Sequence, residues 1–493
     1  MARKETIFCD QLILGSGPGG SVVFEQLSKA GFSPVIIEEG RTVDDTSLQE
    51  SPPTLTFKNY RQGGISPILS SPIFVHGEGK VLGGGSTING GLMWRTPKNI
   101  QAEWKKPLLD KGINDKEIYR YFDEIDEYMQ IENQKILEGF DLDSEKLVSA
   151  CKSLNWQIAP ARRAVQSCKR HNQCGAGCPS GAKRTMVKSC LEVGLRNGGK
   201  IKTEIRVEKL IVRKGRIVEV RCIDFSGKKC RKFSIVPSEL FLSFGALETP
   251  KLLLRSNIVT SRSLRLGFHL NLRFLAKFPD KINAHKATMF TYQVQEFLDK
   301  GIIIMASNLR KMYLSPILSK LDKKEGIEIL KNFKCLGLYT TTLRPSSYGG
   351  FLKLPFFNAL PFFFTKQKDF DKLKFSARMT CKLLFSAGAE YILLPFYKQK
   401  LVYSFEEAEA CIENCSKNDF EFLSVHAMSS IPITHKNLIT KEGKLNGIEN
   451  LYISDGSILP STIGESPQQT IMAFSHYIVQ KWITRKKKLE LGS

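Results

Sequence analysis

Gly15-Ser-Gly17-Pro-Gly-Gly20 constrains this chain more than any other feature, because of what stands on either side of it. Thr6 to Leu14 reads as a buried strand; Val22, Val23, Leu27 and Ala30 then recur at helical spacing until Gly31, and Pro34-Val-Ile-Ile-Glu38 reads as the next strand. Strand, glycine turn, helix and strand make a βαβ unit. Its three glycines have separate tasks: a tight turn at Gly15, close backbone approach to a pyrophosphate at Gly17, and close helix–strand packing at Gly20. The pyrophosphate belongs at the helix N-terminus, where backbone amides point outward. Glu38, at the end of the second strand, is placed to accept hydrogen bonds from a ribose. The unit predicts dinucleotide binding and by itself leaves NAD and FAD open.

A chain of 493 residues is too long for one compact core, so a second domain or a large elaboration is expected. No run of about 18 apolar residues occurs that would span a bilayer. The strand-like text begins too near Met1 for a secretion signal to precede it, which predicts a cytoplasmic protein with membrane association left open. The formal charge of +23 invites nucleic acid or an anionic surface. The basic residues are scattered, however, and the one dense run, Arg485 to Lys488, reads as a solvated tail. Nucleic acid is therefore not expected as a partner, while peripheral membrane contact stays open.

The stretch 77–91 carries seven glycines in fifteen residues, with Gly83, Gly84, Ser86 and Asn89 among them and Leu82, Ile88 and Leu92 interleaved or adjacent. Bared amides of this kind suit a ring system or a phosphate, and the apolar residues argue against a mobile linker. Residues 107–150 look helical, with Tyr119, Phe122, Ile125 and Tyr128 on a core-facing stripe. Residues 201–223 read as an antiparallel meander in three strands, and Leu240 to Phe244 as a strand entering a helix at Gly245. From Lys277 to about Lys441 the chain is Phe-rich and basic; Phe351 to Phe364 is too short and broken to span a membrane and reads as core or pocket lining, or as a segment dipping into an interface. Leu451 to Ile453 reads as a strand, and a helix from Pro467 carries Ile471, Phe474, Ile478 and Trp482 on one face. His435 and His476 read as surface or packing residues.

Four blocks together resemble the glucose–methanol–choline (GMC) oxidoreductases: Gly15 to Glu38, Val81 to Gly91, Leu240 to Leu254, and Leu451 to Pro460 with Ser466-Pro-Gln-Gln-Thr-Ile-Met-Ala. The resemblance implies a mixed α/β fold (α+β in part): a Rossmann-like FAD-binding domain with an inserted substrate-binding domain. It divides the chain into 1–45, 75–105, 195–275 and 446–493 for FAD, and 46–74, 106–194 and 276–445 for substrate. It also implies FAD as the cofactor, held by Gly15, Gly17, Gly20, Glu38, Gly84, Ser86, Asn89, Val207, Asp455 and Gly456. In this family a histidine faces flavin N5; Val425-His426-Ala-Met428 matches its segment without the family glycines, which makes His426 the expected base for an alcohol, its unperturbed pKa lying near neutrality. The partner position, Asn or His in the family, is Ser466 here, with Glu465 beside it. That departure leaves open whether a water or Glu465 completes the clamp on the substrate oxygen, whether the substrate is unusual, or whether turnover is impaired. The expected reaction is oxidation of a CH–OH group, a sugar or polyol ahead of a long-chain fatty alcohol, with electrons going to a non-oxygen acceptor such as a quinone or a protein.

Twelve cysteines without a secretion signal argue for mostly reduced thiols. Three cluster within 168–179 as Cys168, Cys174 and Cys178, with His171 between them, in a C-x5-C-x3-C-P run similar to that of the family's iron–sulfur sugar dehydrogenases. A [3Fe-4S] or related cluster is one reading of these four residues. A structural zinc, free thiols or a disulfide are the others.

Overall fold

Alternation of exposed and buried positions gives way to Leu12, Ile13 and Leu14, all fully buried, along the first strand, β1 (Thr6–Leu14). A strand apolar on both faces belongs in the middle of a parallel sheet. In this computed structural model, which describes residues 5–44, 47–354 and 359–491, β1 lies there. It pairs in parallel with β2 (Val35–Ile37) on one side and with Arg231–Leu242 on the other. Lys200–Lys202 extends the sheet beyond β2, and Leu451–Ile453 runs parallel to Leu240, Phe241 and Leu242. Chain segments more than 400 residues apart thus form the parallel part of one sheet. The meander expected over 201–223 differs in one respect. Its first segment is the parallel edge strand Lys200–Lys202, and the antiparallel part runs Ile205–Arg213, Arg216–Asp224 and into Arg231–Leu242.

The helix α1 (Pro18–Lys29) covers one face of this sheet and packs against the long C-terminal helix Gln468–Leu491. Trp482 of that helix meets Phe32 and Phe241 edge-on, at centroid distances of 5.1 and 5.8 Å. Its burial ties the chain's end to its start.

A second sheet of ten strands is assembled from the segments between the nucleotide blocks. Its path runs Ser66–Ile68, Phe74–His76, Leu423–Ser424, Leu270–Lys277, Leu336–Leu343, Ile302–Ala306, Tyr292–Val294 and Ile158–Pro160. Leu270–Lys277, eight residues with six fully buried, is its central strand and crosses the boundary expected at 275. Gly350–Leu352 and Leu360–Phe362 form a separate hairpin with Phe351 and Phe363 in the core. Positions 355–358 of the Phe-rich stretch lie outside the described residues. Among the described residues, no helix is long and apolar enough to cross a membrane.

Candidate active site

The glycine turn after β1 is fixed by the backbone around it. A Cβ on Gly15 would stand 2.5 Å from the Ser243 carbonyl oxygen, one on Gly19 1.9 Å from that of Ser454, and one on Gly20 2.0 Å from that of Gly15. Gly17 is different: a Cβ there meets nothing within 4 Å, and the same holds for Gly85. Gly84, at φ +54°, lies so close that its Cβ would come within 2.8 Å of Gly17 Cα. The α1 N-terminus and the 83–85 turn therefore flank an open slot, lined by backbone and carrying the positive end of a helix dipole.

Glu38, buried at the end of β2, accepts the Ser16 amide at 3.0 Å and its hydroxyl at 2.7 Å on one oxygen, and the Gly40 amide at 2.7 Å on the other. Burial pushes its pKa up, and these donors pull it back. Ser16 also accepts the Gly83 amide at 3.0 Å, so one hydroxyl joins Glu38 to the second glycine turn. Sequence reading passed over Ser16; the available signal was a hydroxyl between two functional glycines.

Asp455 holds the far side. It accepts from Gly245 N at 2.9 Å, Thr249 Oγ1 at 2.5 Å and Ser457 N at 2.8 Å, which pins Gly456 beneath Ile471 of the C-terminal helix. Asn89 donates to Gln468 at 2.7 Å and accepts from Gly91 N at 2.9 Å, drawing the helix start against the glycine-rich turn. Ser86 is used internally, bonded to Gly83 O at 2.7 Å and accepting Met186 N at 3.0 Å. Val207 is buried on its strand, and its carbonyl accepts Arg255 Nη2 at 2.9 Å.

His426 lies between Leu423–Ser424 and Ala427–Met428, and two further histidines that sequence reading passed over come to it. His269 follows Gly267–Phe268, which pairs antiparallel with Ala427–Met428; its Nδ1 is 3.2 Å from His426 Nδ1. His76 arrives through the parallel pairing of Ser424 with His76. Burial pushes His426 down to about 4 and His76 to about 3, and lowers His269 well below the usual range. All three are neutral at pH 7. Behind them stands a buried aromatic wall: Phe268 meets Phe74 and Phe363 at centroid distances of 5.4 and 5.6 Å, and Phe422 meets Phe74 at 5.1 Å. Glu465 is buried, accepts from Gln293 at 2.5 Å, and has its second oxygen without a partner; burial raises its pKa to about 8. Ser466 is buried beside it, just ahead of the C-terminal helix. His476, by contrast, is a packing residue, stacked on Tyr121 at 4.8 Å.

Two family models, both described as GMC oxidoreductase, match residues 56–273 and 359–475. The chain belongs to the GMC oxidoreductase family. An uncharacterized GMC-type oxidoreductase of Sinorhizobium fredii is 24% identical over 97% of this chain and 95% of its own length. A long-chain-alcohol oxidase of Arabidopsis thaliana is 26% identical over 96% of this chain and 67% of its own. Among solved structures, an Aspergillus oryzae formate oxidase variant studied for its FAD modification matches with a TM-score of 0.71 at 15% identity, over 98% of this chain and 99% of that one. Pyridoxine 4-oxidase from Mesorbium loti matches with a TM-score of 0.70 at 15% identity, over 96% and 99%. The protein is thus an FAD oxidoreductase of the GMC fold. The open slot at Gly17 and Gly85, the helix N-terminus and the acid Glu38 fit an FAD pyrophosphate and ribose.

The cysteine loop does not fit a metal centre. Cys168 Sγ accepts the Arg170 amide at 3.4 Å, Cys174 Sγ lies 3.5 Å from Arg163 Nη2, and Cys178 Sγ is 3.4 Å from Ser180 Oγ. His171 is exposed. Among the described residues, no three His, Cys, Asp or Glu side chains converge as metal ligands, and all twelve cysteines are free thiols. Two cations occupy the interior instead. Lys183, fully buried, donates to the carbonyls of Thr87, Asn89 and Cys174, and Arg163 donates to that of Gly90. The iron–sulfur expectation rested on spacing, and the fold turns that loop into a clip on the Asn89 turn.

Proposed function

We propose that the protein oxidises the CH–OH group of an apolar, long-chain alcohol, with His426 at the substrate oxygen. FAD, when bound, supplies the hydride acceptor. The carrying observation is that the histidines sit in apolar surroundings: Phe74, Phe268, Phe363 and Phe422 form a buried cluster that reaches His76 through Phe268 at 5.5 Å and offers a sugar few hydrogen bonds. Exposed Leu69, Ile73, Phe364 and Val425 continue this apolar character near strands 66–68 and 74–76 and next to His426. The long-chain-alcohol oxidases among the relatives support the same reading. It reverses the order of substrates expected from the sequence, where sugars and polyols came first.

The chain's own residues divide the work. The glycine slot and Glu38 bind and orient the dinucleotide; the neutral imidazole of His426 holds the substrate oxygen and takes its hydroxyl proton as the hydride leaves the carbon; the buried phenylalanines keep its surroundings dry. No electron path through the cysteine loop belongs to this reading, since among the described residues its side chains form no metal-ligand group. Anaerobic mixing of the flavin-loaded protein with long-chain primary alcohols, hexoses and polyols tests it. The alcohols should bleach the oxidised flavin bands and the sugars should not; bleaching by a hexose alone would end the proposal.

A further inference from the structure

We infer that Glu465, aimed by Gln293, is a further catalytic residue whose free carboxyl oxygen donates an O–H to the substrate oxygen while His426 takes the hydroxyl proton. This deepens the proposed reaction and rests on His426 being the ring at that oxygen. Ser466 stands where the family has Asn or His, and its hydroxyl is shorter than either side chain. Glu465, next to it, has a polar atom to spare. Position supports the pair. A Cβ on Gly267, in the strand pair that brings His269 to His426, would meet Thr462 Cγ2 at 2.6 Å, and the chain then turns at Gly464, φ +78°. Gln468, three residues after Glu465, holds Asn89 at 2.7 Å. Gln293 reaches the same place from the second sheet: Phe290, three residues before it, lies so near the glycine-rich turn that a Cβ on Gly90 would meet its ring at 2.4 Å. Glu465 and Gln293 therefore meet between the histidines and the Asn89–Gly90 turn.

The pair is buried and only half used. Glu465 is 2% exposed and Gln293 0%. Gln293 Nε2 donates to Glu465 Oε1 at 2.5 Å, while Glu465 Oε2 and Gln293 Oε1 have no partner among the described residues. Buried polar atoms are rarely left so unless a bound group completes them. A carboxyl shut away from water keeps its proton, in line with the raised pKa of about 8. The Gln293 N–H occupies one carboxyl oxygen, so the acid proton sits on the other, Oε2, the open one. In the reaction the substrate oxygen gives its proton to His426 as the hydride leaves the carbon, and the C–O single bond becomes a carbonyl. Glu465 keeps its own proton throughout. Its O–H stabilises the negative charge that builds on the oxygen when proton and hydride depart.

Infrared difference spectra and flavin reduction test this together. In the flavin-loaded protein, the C=O stretch of a protonated carboxylic acid, absent from Glu465→Gln, should shift when dimethyl nonyl carbinol is added. That tertiary alcohol has no hydrogen on its carbinol carbon and so gives no hydride. Gln293→Leu should move the same band before any alcohol is present. With a long-chain primary alcohol at saturation, Glu465→Leu should reduce its flavin roughly a hundredfold more slowly than the parent protein, the scale of losing one fixed donor at a charge-developing oxygen. Glu465→Gln, whose amide N–H takes the place of the acid O–H, should recover most of that loss. A carboxyl that merely ties strand to helix would change Tm and leave both the band shift and the rate of folded protein untouched. tert-Butanol is the second probe: a band shifted by it alone keeps the inference and ends the long-chain reading. A band that neither alcohol shifts, parental rates in Glu465→Leu, or Glu465→Gln as slow as Glu465→Leu would overturn the inference.

Discussion

The two ends of the site are built from different materials. At the dinucleotide end the groups that matter are backbone: glycines pressed against the carbonyls of Gly15, Ser243 and Ser454, with Gly17 and Gly85 left bare. At the histidine end they are side chains from three distant segments: His76 at a strand's end against Phe268, and His269 and His426, each between two strands, against one another. At the first end Gly15, Gly19 and Gly20 tolerate no added atom while Gly17 and Gly85 have room, and there is little chemistry to tune. The second tolerates substitution and is where the chemistry is set.

The sharpest break of that comparison lies within the glycine turn itself. Gly20→Val, whose Cβ would start 2.0 Å from a carbonyl oxygen, should destabilise the protein by about 3 kcal/mol or more and yield little folded material. Gly17→Val should fold with a near-parental Tm and lose its flavin, because the side chain enters open space that the pyrophosphate needs. Thermal unfolding alongside flavin absorbance separates the two; a flavin-loaded Gly17→Val protein would mean that the cofactor lies elsewhere.

This contrast also explains what could be read beforehand. Gly15, Gly17, Gly20 and Glu38 are local, and their spacing alone encodes a strand, a turn and a helix. His426 was legible through its neighbours. His269 and His76 were not, because what brings them to His426 is the pairing of Gly267–Phe268 with Ala427–Met428 and of Phe74–His76 with Leu423–Ser424, partners more than 150 and 340 residues apart. A histidine directly before the central apolar strand Leu270–Lys277 was the one local hint. The cysteine motif is left without support for the converse reason: its spacing is local, and spacing says nothing about the buried cations Lys183 and Arg163 that the fold sets beside it.

Asn89→Ala links the two ends. It removes the bond to Gln468 at the start of the C-terminal helix and leaves buried Gln468 short of a partner, so it should cost about 1–3 kcal/mol and loosen flavin binding. Flavin release on mild denaturation measures it, and unchanged retention would show that the helix start is held by other contacts.

A pH-dependent effect should appear at Glu465. Its folded pKa is raised from 4.5 to about 8, so between those values the folded state holds a proton that the unfolded state has lost. Stability from this group therefore falls as pH rises through that window, by up to about 1.4 kcal/mol per unit. Glu465→Gln should gain on the parent protein as pH increases from about 5 to 8, read as the difference in Tm. A constant difference would place the Glu465 carboxyl in contact with water.

The smallest change is expected at Cys174→Ser. Iron and flavin content should match the parent protein after growth in iron-rich, low-oxygen conditions; iron present in the parent and lost in the variant would restore a cluster to the loop.

The account stands most directly on stopped-flow reduction of the flavin by a long-chain primary alcohol without oxygen, compared between the parent protein and His426→Ala. Removing the group that takes the hydroxyl proton as the hydride leaves costs roughly 100-fold or more in rate. The account predicts that loss at equal flavin content, and reduction at the parental rate in His426→Ala would contradict it.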